Sequence, residues 1–538
     1  MRRIILSLIF VLSFSSFAAP TVDSMLGKIT GIENDRAYIY KGIPYAKATT
    51  GDLRFAPPVK ADSFVGEFKA DKFCKIPFQS PFMNYPKLNG EGVDSLCLNV
   101  YTPKGAKVND KYPVYMWIYG GAFVGGASSL PLYDGSEFAK DGIVFVSINY
   151  RLGAEGFYSS ISTKQLYGTT GNWGLLDMIL ALNWIKDNIK YFGGDPDNVT
   201  IGGESAGAFS VSALVLSPLT KGLFKRAVME SGTILSYPFV SMNQNDNQLI
   251  AYGHSEKLNS KFDIKDSMAG LADLRNIPPE ILSNYCPLDL GFDNKDGSYL
   301  IPNFDGYVIP YEPYESLKNG EFNNVDILLG YNTNEGTMFV PPSVTDKQLD
   351  SVITYHHKKN GSNRINKLYS REIYQNPYDR SCEYIGDIAF NLGMKIFADN
   401  ISKTNKVYMY HFDYAPEYMM RTPYKVGHAS EIAYVFNNLQ KNATKTQRQV
   451  ADVFHRRVVN FIKTGNPNTD GNTEEKIIWN TYEENNSSVF RISDRQHMEA
   501  FKLKDRLEIL ESELFKKIYQ RLLLVAFFFI VCFCFLLE

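Results

Sequence analysis

Apolar residues in this 538-residue chain fall into short unbroken runs bounded by turn-forming residues, with longer stretches of helical repeat between them. Residues 114–118 (Val-Tyr-Met-Trp-Ile) and 143–148 (Ile-Val-Phe-Val-Ser-Ile) are rich in β-branched and aromatic side chains and are flanked by Gly, Pro or Asp. Runs of that length suit buried strands, since helices in globular proteins generally need about ten residues or more. Residues 173–189 predict an amphipathic helix, closed by Phe192-Gly193-Gly194-Asp195-Pro196. Residues 198–203 return as a short strand, and further buried strands are expected at 326–329 and 407–412. Strand, helix and strand in succession predict a parallel sheet with right-handed crossovers. No repeat of roughly 20–50 residues is visible, which excludes a solenoid or propeller. No low-complexity linker divides residues 20–515, so the pattern predicts one large α/β domain.

The two ends depart from this pattern. Arg2 and Arg3 precede an apolar stretch over residues 4–14, followed by Ser16-Phe17-Ala18. A basic start, a short apolar run and a small-x-small site predict a signal peptide over residues 1–19, removed after Ala18 or Ala19. The protein is therefore expected to be exported: secreted, periplasmic or at the cell surface. At the other end, residues 522–537 are uninterruptedly apolar after Lys516, Lys517 and Arg521. As a helix this run measures about 24 Å against a hydrocarbon core of about 30 Å. The tail, residues 516–538, is expected to act as a membrane tether. The net charge of −2 comes from 58 acidic and 56 basic residues without long single-sign blocks, and gives no field that would gather nucleic acid.

The strongest chemical signal is Gly203-Glu204-Ser205-Ala206-Gly207, directly after the strand at 198–203. A Gly-x-Ser-x-Gly between strand and helix is a nucleophile elbow: the tight turn lifts the serine hydroxyl above the sheet, and the glycines avoid collision with neighbouring backbone. A tetrahedral oxyanion formed on such a serine needs backbone N–H donors. Tyr119-Gly120-Gly121-Ala122, after the strand at 114–118, offers them. Gly121, Ala122 and Ala206 are the expected oxyanion-hole donors, with Ser205 as nucleophile.

Further segments extend the pattern. They are Gly42-Ile43-Pro44-Tyr45-Ala46 with Leu53-Arg54-Phe55, Leu98-Asn99-Val100-Tyr101-Thr102-Pro103, and Asn149-Tyr150-Arg151-Leu152-Gly153. The stretch from Gly171-Asn172 to Asp177 follows, and then Phe192 to Pro196 leading into the Ser205 elbow. In this order they make the chain resemble the type-B carboxylesterases and lipases, the cholinesterase-like branch of the α/β-hydrolases, from about Thr30 to about Phe515. The resemblance implies an α/β-hydrolase fold, a large and mostly parallel twisted sheet flanked by helices. It implies a serine hydrolase that cleaves small-molecule carboxylic esters through an acyl-enzyme, with no metal or organic cofactor.

The fold orders its triad as Ser, then Asp or Glu, then His. His428, in Gly427-His428-Ala429-Ser430-Glu431, matches the family's catalytic His-Gly-x-Glu loop. His411 falls within a strand, while the adjacent His356 and His357 lie in a polar, Lys-rich stretch and read as surface residues. Glu335, in Asn334-Glu335-Gly336 after the strand at 326–329, matches the acid that holds the histidine tautomer. Glu204 and Ser231 match the family's buried support positions. The resemblance also implies a Cys74–Cys97 disulfide, although Ser95 stands at the usual cysteine position. A two-residue shift keeps the same strand face. A Cys286–Cys382 pair has no counterpart to support it.

Between Cys74 and Cys97 there is no tryptophan; the aromatics of this loop are Phe78, Phe82 and Tyr85. Cholinesterases use a tryptophan there to hold the choline cation, so broad, non-choline ester specificity is expected. Met338 and Phe339 fall where that branch places aromatic residues of the substrate gorge. Activity is expected to fall on acidification, as a histidine base protonates. Two alternatives stand beside this reading: a catalytically silent adhesion or binding ectodomain on an esterase scaffold, and a lipase for long acyl chains. The first typically lacks the nucleophile or the histidine, and this chain has both.

Overall fold

The computed structural model describes residues 19–81, 89–236, 244–285, 300–468 and 477–514. Residues 1–18, the whole tail 516–538, Phe82, Tyr85 and Cys286 lie outside the described residues. Among the described residues, no helix is long and apolar enough to cross a membrane.

Runs that are apolar on every residue need cover on both faces, and the strands they form are the middle of one large sheet. Among the described residues this sheet has eleven strands. Across it lie His497–Ala500, Ser488–Ile492, Val407–Phe412, Asp326–Asn332, Arg226–Glu230, Gly194–Glu204, Tyr112–Ile118, Val144–Ile148, Cys97–Pro103, Ala37–Pro44 and Ile32–Glu33. Neighbours from Ser488–Ile492 to Val144–Ile148 all pair in parallel, and the strands beyond either side are antiparallel. A separate three-stranded sheet holds Thr21–Ser24, Gly27–Thr30 and Glu67–Lys69.

The strand at 407–412 has the expected bounds, whereas Gly194–Glu204 and Asp326–Asn332 run longer than the pattern suggested. The helix Trp173–Asn188 departs from expectation more instructively. Its first half is buried nearly all round, and exposed polar positions begin only at Asn183 and Lys186. The residues that interrupt its apolar pattern have internal partners. Asp177 binds Arg151 through Nη2–Oδ1 at 2.7 Å and Nε–Oδ2 at 2.9 Å, both residues fully enclosed. Two parallel hydrogen bonds suit a buried guanidinium–carboxylate pair, because they return the hydration that both ions lose.

His356 and His357 are a correction: both are buried, on the helix Asp346–Leu368. They share one hydroxyl, with Tyr384 Oη 3.0 Å from His356 Nδ1 and 3.1 Å from His357 Nε2. Packing against the helix Pro377–Gly386 covers this face, and the nearby lysines gave no hint of it. Burial, with His357 alongside, pushes His356 down to about 3.

Cys74 and Cys97 form the expected disulfide, with Cα atoms 6.6 Å apart. Cys382 is a buried free thiol.

Candidate active site

Parallel strands that share a register end together, and the chemistry collects at their carboxyl ends. Glu204 lies opposite Glu230, Glu230 opposite Gly330, and Gly330 opposite Tyr410. One step beyond this row, the chain turns into Ser205 on one strand and Ser231 on the next, while Glu335 follows the third strand closely.

Ser205 sits at φ +57° and ψ −123°, between the strand Gly194–Glu204 and the helix Ala206–Leu216. Its N–H donates to Glu230 O at 2.9 Å, which fixes the turn against the neighbouring strand. The flanking glycines are needed for close approach. A Cβ on Gly207 would stand 2.0 Å from Ile118 O, and one on Gly203 would stand 2.6 Å from Gly207 C. The elbow therefore interlocks with the end of the strand Tyr112–Ile118.

The loop after that strand meets the elbow directly, since a Cβ on Gly120 would be 3.0 Å from Ser205 Cβ. Gly121 has φ +119° and Ala122 φ +55°. Alanine in a left-handed conformation costs about 1 kcal/mol or more, so this loop holds its shape against local preference. Ala206 opens its helix, where N–H groups have no intrahelical acceptor. Ala122, Ser205 and Ala206 line one small cavity with Phe123, Phe209, Phe339 and Phe390.

His428 Nδ1 lies 2.7 Å from Glu335 Oε2, with both side chains buried. The other carboxylate oxygen, Glu335 Oε1, accepts the Asn332 N–H at 2.6 Å. The histidine loop is tied to the same strand end, because Asn332 Nδ2 donates to Gly427 O at 3.0 Å and Asn334 N–H to Val426 O at 2.9 Å. Tyr424 Oη donates to His428 O. With Nδ1–H committed to Glu335, Nε2 is the nitrogen left to receive a proton. It lies 3.1 Å from Glu204 Oε1, and no hydrogen bond joins it to Ser205 in this resting geometry. Catalytic contacts are commonly loose without substrate and tighten once it binds.

A buried group of carboxyls surrounds this centre. Ser231 Oγ donates to Glu431 Oε1 at 3.0 Å, and Asn332 Nδ2 donates to Glu431 Oε2. Burial, then the proximity of Glu431, Glu335 and Glu230, holds the Glu204 carboxyl well above its usual range. Burial and Glu431 do the same to Glu230. Burial and Glu335 push Glu431 up to about 7, against the lowering effect of the Asn332 hydrogen bond. Several carboxyls this close cannot all ionise, and the cluster keeps part of its charge as bound protons.

The profile of the carboxylesterase family matches residues 18–510 of this chain. The chain belongs to the carboxylesterase family. The para-nitrobenzyl esterase of Bacillus subtilis (strain 168) is 32% identical over 483 residues, covering 86% of this chain and 92% of that protein. Carboxylesterase 1E of Mus musculus is 32% identical over 517 residues, covering 87% and 91% respectively. Among solved structures, a PNB esterase superposes with a TM-score of 0.78 at 30% identity, covering 91% of this chain and 99% of that one. The fold of this carboxylesterase is accordingly the α/β-hydrolase fold, and the protein is a carboxylic-ester hydrolase, as its sequence implied.

The structure brings Ser205, Glu204, Glu335, His428 and Ser231 to one strand edge, beside the Gly121–Ala122 loop. Met338 is half exposed, whereas Phe339 faces the cavity. Three polar residues of this carboxylesterase site were not singled out from sequence: Glu230, Asn332 and Glu431. Glu431 had a usable signal, since it is the Glu of the His-Gly-x-Glu loop.

Proposed function

We propose that this carboxylesterase attacks its ester with Ser205, using His428 as general base and Glu335 to orient and stabilise the imidazole. The pairing of His428 Nδ1 with Glu335 at 2.7 Å, beside the Ser205 elbow, carries this reading. As Oγ attacks the carbonyl, the hydroxyl proton passes to His428 Nε2, and the carbonyl π electrons move onto oxygen. Backbone N–H groups of Gly121, Ala122 and Ala206 receive that oxyanion. His428 then returns the proton to the leaving alkoxide as the C–O bond breaks, leaving an acyl-serine. Water, deprotonated by His428, releases the acid by the same steps. The high proton affinity of Glu204 suits this cycle, because a neutral carboxyl beside Nε2 does not trap the imidazolium as a salt bridge.

The cavity beside Ser205 is walled by Phe123, Phe209, Phe339, Phe390 and Ile301, a lining that suits short apolar acyl groups. Small, broad and non-choline ester substrates fit this lining better than long acyl chains. The leader and the apolar tail support export and a membrane tether. Removing residues 516–538 should release the enzyme from the membrane fraction without loss of turnover.

The test is hydrolysis of p-nitrophenyl esters from acetyl to palmitoyl by the full chain and by Ser205→Ala. Turnover with a short-chain optimum, abolished in Ser205→Ala, is expected. A folded wild-type protein inert on the whole series would overturn the proposal, and a palmitoyl optimum would favour the lipase reading.

A further inference from the structure

The long helical element opposite the histidine loop does not keep one register. The helix Pro377–Gly386 passes into a π turn at Asp387–Asn391 before the helix Leu392–Ile401 resumes. A π turn inserts one residue into the α repeat and rotates whatever it carries relative to the preceding turns. Here it carries Phe390, which is almost fully buried and presents its ring to His428 with centroids 4.3 Å apart and planes inclined by 34°. Phe339 reaches the same imidazole at 5.0 Å, but at 60°.

The turn is anchored from behind. Asp387 accepts the Tyr369 hydroxyl at 2.6 Å, Arg506 Nη2 at 3.1 Å and Asn391 Nδ2 at 3.0 Å. At its start, a Cβ on Gly386 would lie 3.4 Å from Glu335 Cβ, so the same element also backs the acid.

The imidazole of a general base is neutral at rest and cationic in the transition state. An aromatic face attracts the cation and not the neutral ring, and the attraction grows where water is excluded. An interaction felt only in the charged form raises kcat rather than tightening substrate binding. We propose that Phe390, turned onto the imidazole by the anchored π turn, is a positioning residue that holds His428 and stabilises its protonated form during turnover. This rests on the reading of His428 as the base. The other groups facing that imidazole are Glu335, Glu204 and Glu431, and the substitutions below leave all three in place.

The test replaces Phe390 in the full chain with Met, and separately with mono- and trifluorophenylalanine, which keep the ring while draining its face of negative potential. Hydrolysis of p-nitrophenyl butyrate is followed from pH 4.5 to 9. Phe390→Met is expected to lower kcat about tenfold, a factor typical of a desolvated cation–π contact. The acid limb of kcat/KM should move to lower pH by up to about one unit, because the charged form is then less favoured. The fluorinated series should move both quantities progressively in the same directions, with KM nearly constant. This series also covers the case in which Phe390→Met does not fold. Unchanged kcat and acid limb across the fluorinated series, with changes confined to KM or acyl preference, would reduce Phe390 to pocket lining and overturn the proposal. Activity surviving in Ser205→Ala would instead overturn the underlying mechanism, and this proposal with it.

Discussion

Replacing Glu431 with Gln converts the protons stored in the carboxyl cluster into a measurable stability. The native carboxyl, pushed up to about 7 from an ordinary 4.5, keeps its proton across a range in which the unfolded chain has lost it. Between those values the native state binds more protons than the unfolded state, so stability falls as pH rises through the interval and levels off above about 7. A separation of about 2.5 pH units corresponds to roughly 3 kcal/mol, most of it lost between pH 5 and 8. Glutamine does not titrate, so Glu431→Gln should lack this loss. It has its own penalty, constant with pH: Ser231 and Asn332 both donate to Glu431, and glutamine keeps only one acceptor oxygen. An unmet buried donor costs about 1–3 kcal/mol. Asn332 Oδ1 is itself buried without a partner, so an amide flip could return part of that, at the expense of the bond to Gly427 O. The variant should therefore be the less stable protein at pH 5 and should equal or overtake wild type by pH 8. With an unfolding entropy of about 2.1 cal/mol/K per residue over roughly 500 residues, the relative Tm should move by about 3 °C between those two pH values. Scanning fluorimetry of both proteins at matched scan rates, in half-unit pH steps, reads this difference directly. A constant gap in Tm from pH 5 to 8 would refute the elevated proton affinity of Glu431.

Glu335→Gln should leave the fold in place and lower kcat by about 10^3–10^4-fold with little change in KM, because an amide no longer fixes the reactive tautomer or stabilises the imidazolium; steady-state kinetics on a p-nitrophenyl ester will show it. Gly207→Ala drives a methyl to within 2.0 Å of Ile118 O, where backbone has to move, so a loss of about 4 kcal/mol or more is expected, seen as low soluble yield and a depressed Tm. Cys97→Ser opens a link between residues 23 apart in sequence and should lower stability by about 3 kcal/mol, measured by urea titration of variant and wild type without reductant.

Much of this protein was legible in the one-dimensional pattern, for identifiable reasons. Apolar runs at 114–118, 143–148 and 407–412 can be buried on both faces only in a covered parallel sheet. The elbow glycines could be read because their need is local: each sits within a few residues of the backbone turn it accommodates. Glu335 and His428, which the structure brings to 2.7 Å, were singled out by chain order within the family pattern. Long-range pairing was less legible. Glu230 looks like an ordinary surface charge in sequence and Glu431 carries only a loop match, and only strand register and loop closure set them beside Glu204 and Glu335. His356 and His357 were misread because adjacent lysines say nothing about the face of the helix that another helix covers.

The sequence by itself determined the covered sheet, the strand-turn-helix elbow at its carboxyl edge and the ester chemistry, since these depend on local turn geometry and on burial patterns that repeat along the chain. The tertiary structure alone decided which carboxyls share protons, which way Nε2 of His428 faces at rest, and where the π turn points Phe390. Those properties depend on distances between segments far apart in the chain, and electrostatic energies at a few ångströms in a dry interior change with shifts that no local pattern encodes.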